Sequence, residues 1–317
     1  MTTAARSVRI RVPASTANLG PGFDSIGLAL GLWDEYVATA LDTPTLEVQV
    51  TGEGSTEVPT DESHLVVRTM RHTWEVLGVT APAGLRLAAC NGVPHGRGLG
   101  SSATAIVAGV VAAQALSYAA ELAPGAPVPL DLVVASHLAS LLEGHPDNAS
   151  ASVYGGLTVS WMPDGTGADL GETTVTARPV LHPDVDVVAF VPDQQLATRH
   201  ARAVLPSSVP LQHAAANSGR AALLVHALTT EPVHLHAATR DWLHQEPRRA
   251  SYPESMRLVD ALRAQGHAAV ISGAGPTVLV LTTRDRASLV VAPAGLHQWA
   301  RLTPGIPTTG VTAVVAT

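Results

Sequence analysis

The 317-residue chain contains no lysine; all 19 of its Lys-or-Arg positions are arginine. That absence excludes Schiff-base chemistry, a lysine general base and the lysine of the nucleotide motif G-x-x-x-x-G-K-[ST]. A composition rich in Ala, Gly, Val and Arg accounts for the skew, and the exclusions hold whatever its origin. Cysteine is almost as scarce. Cys90 stands alone, which forbids an intrachain disulfide and fits a reducing compartment. Charged residues make up only 14% of the chain and balance to −7, which argues against a broad nucleic-acid or anionic-membrane surface. No secretory signal is expected either. Arg6, Arg9 and Arg11 interleave with Val8, Ile10 and Val12 as they would in a strand. The uncharged run 98–120 starts GLGSS and carries Gln114, Ser117 and Tyr118, so it reads as a buried helix and not a membrane span. A cytoplasmic protein with no nucleic-acid or membrane partner is expected.

What is present points to a mixed fold. Hydrophobic residues at 46% allow a sizeable core, and the length suits one large or two ordinary domains. Strands are expected at the alternating start (SVRIRVPAS), at 46–50, 85–89 and 185–191, in AAVISGAG and TVLVLTT, and in a late VTAVVA. A loop, TANLGPGFD, is expected after the first strand, and another, GHPDNAS, after 143. Helices are expected near 63–77, from the glycine loop to about 122, from the cap Asp131 to about 143, and at 199–205, 212–228, 233–242 and 254–265. Three prolines in six residues mark a turn at 124–129, and PDGTGADLGE at 163–172 is the best linker. Strands and helices mix in both halves, so the class is α+β, divided as 1–165 and 166–317.

Four constellations carry chemistry. The first runs Pro94, His95, Gly96, Arg97, Gly98, Leu99, Gly100, Ser101, Ser102, Ala103, directly before the apolar helix. Glycines let a backbone approach a ligand, and a helix start offers unpaired N–H groups and a positive dipole end; together they make an anion site, most naturally for phosphate. The second is Asn18 to Asp24 (NLGPGFD), a tight loop aiming an amide and a carboxylate that suit ammonium or hydroxyl groups. The third is Glu143, His145, Asp147 and Asn148 at a helix end, where a carboxylate could share Mg²⁺ with nucleotide phosphates. The fourth, SGAGPT with Gly273 and Gly275, is a connection of small residues against which another loop can pack. Taken singly, each is an ordinary turn or helix cap.

Taken together, and in order from about residue 8 to about 282, they resemble one family. PHGRGLGSSAT resembles the phosphate loop of the GHMP kinases, which work without a P-loop lysine, and SGAGPT resembles their C-terminal glycine motif. VPASTANLGPGFDSIGLAL, EGHPDNASASVYGG, ATRHARAVLP and HQEPRRASYP are similar to segments of the homoserine kinases within that family. The resemblance implies a two-domain GHMP kinase fold: an S5-like N-terminal nucleotide-binding domain and a ferredoxin-like C-terminal domain. It implies ATP and Mg²⁺ as cofactors, L-homoserine as substrate and, by analogy alone, a homodimer.

Residue by residue, the resemblance gives 94–103 to ATP and gives Ser101 and Glu143 to the metal. Asn18, Asp24, His145, Asn148, Thr198, Arg202 and Arg248 go to the substrate, with Arg249 the alternative to Arg248. Many family members use an aspartate with a lysine to activate the hydroxyl. Here the comparable residue looks like Asn148, an amide that cannot act as a base at neutral pH. Catalysis by Asn148, His145 and Arg202 through positioning and charge neutralisation is therefore expected, with His145 as base the competing assignment. Another small-alcohol GHMP kinase and a silent metabolite sensor are the rival functions.

Overall fold

The computed structural model describes residues 6–162, 173–196, 198–295 and 299–317. Its first layer is a seven-stranded sheet. Strands β1 (Ser7–Asn18), β2 (Gly22–Leu41), β3 (Leu46–Gly52), β4 (Gly84–Asn91) and β11 (Thr312–Val315) run in the order β11-β1-β2-β4-β3. All pair antiparallel except β3 with β4. Two short strands, β5 (Leu157–Trp161) and β6 (Val175–Ala177), extend the other end of β2. In β1, Val8, Ile10 and Val12 are buried while Arg9 and Arg11 are exposed, as the alternation predicts. From Pro13 onward both faces are buried, because helices cover one and the second half of the molecule covers the other.

Helices α1 (Leu65–Leu77), α2 (Ser101–Tyr118), α3 (Leu132–Glu143) and α4 (Asp147–Tyr154) pack on that sheet. Helix α2 is apolar all round and, apart from the half-buried Ala105, buried from Ala103 to Leu116. With the turn that follows, it is long and apolar enough to cross a membrane, yet 78% of its apolar window lies inside the fold, as in the core helix of a globular protein. Asp131 caps α3 as expected, accepting from Val134 N at 3.0 Å.

The second layer is a four-stranded antiparallel sheet of β7 (Val185–Pro192), β8 (Ala268–Ile271), β9 (Val278–Thr283) and β10 (Trp299–Leu302), ordered β10-β7-β9-β8. Helices α5 (Thr198–Ala203), α6 (Leu211–Thr229), α7 (Leu235–Ala238) and α8 (Pro253–Ala264) accompany it. One core joins the halves: Ala14, Leu19, Leu28 and Leu99 pack with Val187, Leu224, Val270 and Leu279.

Several expectations change. The loop placed at TANLGPGFD shrinks to residues 19–21, because β1 continues to Asn18 and β2, which the sequence did not announce, begins at Gly22. GHPDNAS is no loop beyond Pro146; it opens α4, whose small residues are nearly all buried. The helix at 233–242 stops at Ala238, where Thr239 Oγ1 bonds back to Leu235 O and the Asp241 carboxylate takes the next backbone N–H groups. The expected linker at 163–172 lies outside the described residues. Strands β6 and β11, both beyond residue 165, pair into the first sheet.

Candidate active site

The three glycine motifs meet at the end of β1. Gly96, Gly98 and Gly100 all take positive φ (63°, 75° and 74°), and Leu99 between them is buried in the shared core. This zigzag turns the backbone toward the N-terminus of α2. The loop is clasped from both sides. Ser15 N donates to Leu99 O at 3.1 Å, and the Ser272 hydroxyl sits 2.6 Å from Gly98 O and 2.8 Å from Thr16 Oγ1. Gly273 N donates to Ala17 O (3.1 Å) and Asn18 Nδ2 to Gly273 O (2.9 Å). The connection between β8 and β9 is thus both a hairpin and the packing surface for the two other loops.

A cleft of about 150 Å³ opens where these loops meet α4 and α5. Of the residues expected at the site, Asn18, Asp24, Gly96, Gly98, Gly100, Ser101, Ser102, Glu143, His145, Asn148, Arg202, Arg248 and Gly273 all line it. Asn18 and Asp24 hold left-handed backbone (φ 69° and 56°), tied together by Asp24 N donating to Asn18 Oδ1 at 3.0 Å. The amide of Asn18 keeps one N–H and one lone pair for a ligand. Asp24 is gripped bidentately by Arg202, at 3.0 and 2.6 Å, from 178 residues away. Arg248 is 2% exposed; its Nε donates to Ala201 O at 2.8 Å, and Nη1 lies 3.3 Å from His244 Nδ1. Both guanidiniums face the Phe23 ring, at 5.7 and 5.6 Å. Neighbouring Arg249 instead pairs with Glu246 and Asp260 on the surface, so the geometry puts Arg248 in the cleft.

His145 and Asp147 form a buried pair, Nδ1 to Oδ1 at 2.6 Å, and the same oxygen accepts from Asn148 N at 2.8 Å. Burial pushes the His145 ring down, but the Asp147 hydrogen bond and the Asp147 and Glu143 charges outweigh it, so its pKa is raised. Burial raises the Glu143 carboxyl against the opposing pull of His145 and the Ser102 hydroxyl. For Arg202, burial lowers the pKa, and Asp24, Asp147 and Glu143 more than restore it.

The remaining expected residues behave differently. Arg97 turns out of the cleft, donating to Pro192 O (2.8 Å) and Asp193 O (3.1 Å), and so staples the loop to β7 instead of facing phosphate. Pro94, Leu99, Ala103 and Gly275 act as frame and do not line the cleft. His95 faces a second cavity, of about 270 Å³, on the other side of Ser101 and Ser102. The Thr198 side chain lies outside the described residues. The sequence reading passed over Phe23, Asp147 as the partner of His145, and Ser15, whose hydroxyl donates to Asn148 Oδ1 at 3.1 Å. Only the fold brings Ser15 to α4, though Asp147 at two residues from His145 was within sight.

Among the described residues one group could converge on a metal ion: Asp24, His145 and Asp147, with ligand atoms within 4.8 Å of one another. Its oxygens are committed to Arg202 and His145, and a guanidinium within the group disfavours a cation there. Ser101 and Glu143 offer a better set. Both are hard oxygen donors beside the phosphate loop, and the desolvated carboxylate gains from a counter-cation.

Residues 64–156 match the model of the GHMP kinases N terminal domain, and residues 224–295 that of the GHMP kinases C terminal domain. The homoserine kinase of Streptomyces coelicolor is 47% identical over 313 residues, covering 98% of this chain and 95% of that protein. The chain belongs to the homoserine kinases of the GHMP kinase family. The homoserine kinase of Rhodococcus erythropolis is 49% identical over 279 residues, covering 87% of this chain and 86% of its own. The crystal structure of the Cytophaga hutchinsonii homoserine kinase superposes with a TM-score of 0.80, covering 99% of each chain at 21% identity, a likeness of fold. Family membership makes the protein a kinase that uses ATP, with the α+β two-part fold expected from its motifs.

Proposed function

We propose that the protein transfers the γ-phosphoryl group of ATP to the side-chain hydroxyl of L-homoserine, giving O-phospho-L-homoserine for threonine biosynthesis. The observation that carries this reading is the meeting, in one cleft, of a backbone phosphate loop with Arg202, Arg248, Asp24 and the His145–Asp147 pair. The α2 N–H groups and the Ser101 and Ser102 hydroxyls receive the phosphates. The second cavity takes the nucleoside. It shares both serines with the cleft and is walled by His64 and Asn91, whose Nδ1 and Oδ1 are buried with no partner among the described residues. The two arginines receive the amino-acid carboxylate, and Asp24 the ammonium. Ser101 and Glu143 would hold Mg²⁺, which supplies charge neutralisation at the phosphates when bound. A cytoplasmic location fits the unpaired Cys90.

Phosphoryl transfer asks little covalent help of a protein, so positioning and charge neutralisation suffice. The raised pKa of His145 promotes protonation of the ring, and the imidazolium is a donor and counter-charge. The hydroxyl proton leaves late or to a phosphate oxygen. One observation favours the competing assignment: a histidine oriented by a buried carboxylate is also the geometry of a general base. His145→Ala separates the two. Weakened homoserine affinity alone supports positioning; a fall in kcat with loss of a pH limb near the histidine pKa assigns the base role. The product is tested by ³¹P NMR after incubation with ATP, Mg²⁺ and L-homoserine. A phosphomonoester coupled to the side-chain methylene is expected, and free phosphate with ADP alone would overturn the proposal.

A further inference from the structure

Ser15 is fully buried in β1, and its side chain belongs to a chain of three polar groups ending in the cleft. The Ser152 hydroxyl, also fully buried, donates to Ser15 Oγ at 3.1 Å, and Ser15 Oγ donates to Asn148 Oδ1 at 3.1 Å. The opposite polarity, with the Asn148 amide nitrogen donating to Ser15 and Ser15 to Ser152, has a defect. Ser152 Oγ has no other hydrogen-bond partner among the described residues, so its own proton would be left unmatched in a sealed site. Buried unmatched donors are disfavoured, and each hydroxyl carries only one proton to place. The polarity that runs from Ser152 through Ser15 to Asn148 Oδ1 leaves no proton orphaned.

From this we infer that Ser15 is a positioning residue. By holding Asn148 Oδ1, it fixes the side-chain amide so that its NH₂ group faces the cleft. Gly273, which lines the cleft, lies on that side: a Cβ placed on it would come within 4.0 Å of Asn148 Nδ2. Asn148 therefore presents a hydrogen-bond donor to the reacting groups. It can bind the oxygen of the acceptor hydroxyl or of the transferring phosphoryl group, and it cannot accept the hydroxyl proton. Ser15 serves the phosphate loop as well, through its backbone N–H to Leu99 O. Its Oγ occupies the space a Cβ on Gly100 would need. One buried serine thus sets the register between the loop that holds ATP and the amide that meets the acceptor.

The inference rests on the proposed kinase reaction, and its test is a double-mutant cycle on kcat. Asn148→Ala, Ser15→Ala and the double variant are compared with the wild-type protein, with thermal unfolding recorded for each. Ser15→Ala is expected to lower kcat on the order of tenfold, the worth of one lost hydrogen bond, with the ATP KM little changed. The double variant is expected to match Asn148→Ala, because Ser15→Ala leaves the backbone N–H to Leu99 O in place and removes only the hydroxyl, which acts through that amide. A fourth variant, Asn148→Asp, reads the polarity without touching Ser15. Replacing a donor by a carboxylate should lower kcat at least as far as Asn148→Ala. Additive losses in the cycle, or an Asn148→Asp protein with wild-type-like kcat, would overturn the inference. Absence of homoserine-dependent turnover in the wild-type protein would instead defeat the proposed reaction, and the cycle would then be run on whichever alcohol the protein accepts.

Discussion

Gly98 offers the sharpest test of the phosphate loop. Its φ of +75° costs any other residue about 1 kcal/mol. An alanine Cβ would overlap Ser272 O and lie 2.9 Å from Gly275 O, both of them backbone atoms. Relief requires the loop to leave the clasp, which gives up the Ser272 hydrogen bond to Gly98 O and about 1 kcal/mol more. The same shift carries the N–H groups away from the phosphates. A total of roughly 2 kcal/mol taken from nucleotide binding raises the ATP KM on the order of 30-fold. Gly78 is the control. It has a similar φ of +64° at the end of α1, and a Cβ there meets nothing within 4 Å. Gly78→Ala should cost about 1 kcal/mol, lower the Tm by roughly 2 °C and leave the kinetic constants alone. Initial rates against ATP at saturating acceptor, with thermal unfolding of both variants, read the contrast. A folded Gly98→Ala protein with an ATP KM within about threefold of wild type, less than about 0.7 kcal/mol, would refute the reasoning.

Arg248→Lys should cost about 2 kcal/mol of stability as well as homoserine affinity, because an ammonium cannot both reach Ala201 O and lie against Phe23 and His244; chemical denaturation and the homoserine KM check it. Glu143→Gln should raise the Mg²⁺ concentration needed for half-maximal rate on the order of tenfold, measured by Mg²⁺ titration at fixed ATP. The fully buried His244 ring has its pKa lowered by burial, so below about pH 6.5 the unfolded chain takes a proton that the folded one refuses. Stability should then fall as pH falls by up to about 1.4 kcal/mol per unit for that ring, with the buried His64 acting in the same direction. His145, with its raised pKa, opposes that trend, its contribution being present at low pH and lost as pH rises through the folded value. A plot of Tm from pH 7.5 to 5.5 that keeps its slope in His244→Gln would contradict the assignment.

The parts of the site that the sequence announced are those fixed by backbone geometry. Glycines at 96, 98, 100, 273 and 275 stand where φ is positive, and most of them stand where a neighbouring chain passes too close for a side chain. Such requirements leave few residue choices and are legible locally. β2 was illegible for the opposite reason. From Ile26 to Leu30 it is buried on both faces, so no alternation marks it, and its GFD start imitates a turn. α4 is built from Asp, Asn and Ser, which favour caps and turns in isolation; tertiary packing of Ala149, Ala151 and Val153 holds it helical. GHPDNAS reads as a loop in isolation, so the bond between Asp147 and His145 that accompanies α4 is not legible there. Arg97 misled in the other direction. A cation in a phosphate loop invites a ligand role, yet its reach to Pro192 O depends on a strand nearly a hundred residues away.

The central claim is that this cleft phosphorylates one amino-acid alcohol. Its most direct test is ADP release with ATP and Mg²⁺ in the presence of L-homoserine, with L-threonine, L-serine and mevalonate in parallel. The account predicts release that depends on L-homoserine and is far weaker with the three others. Equal rates for all four, or no release above the background without acceptor, would contradict it.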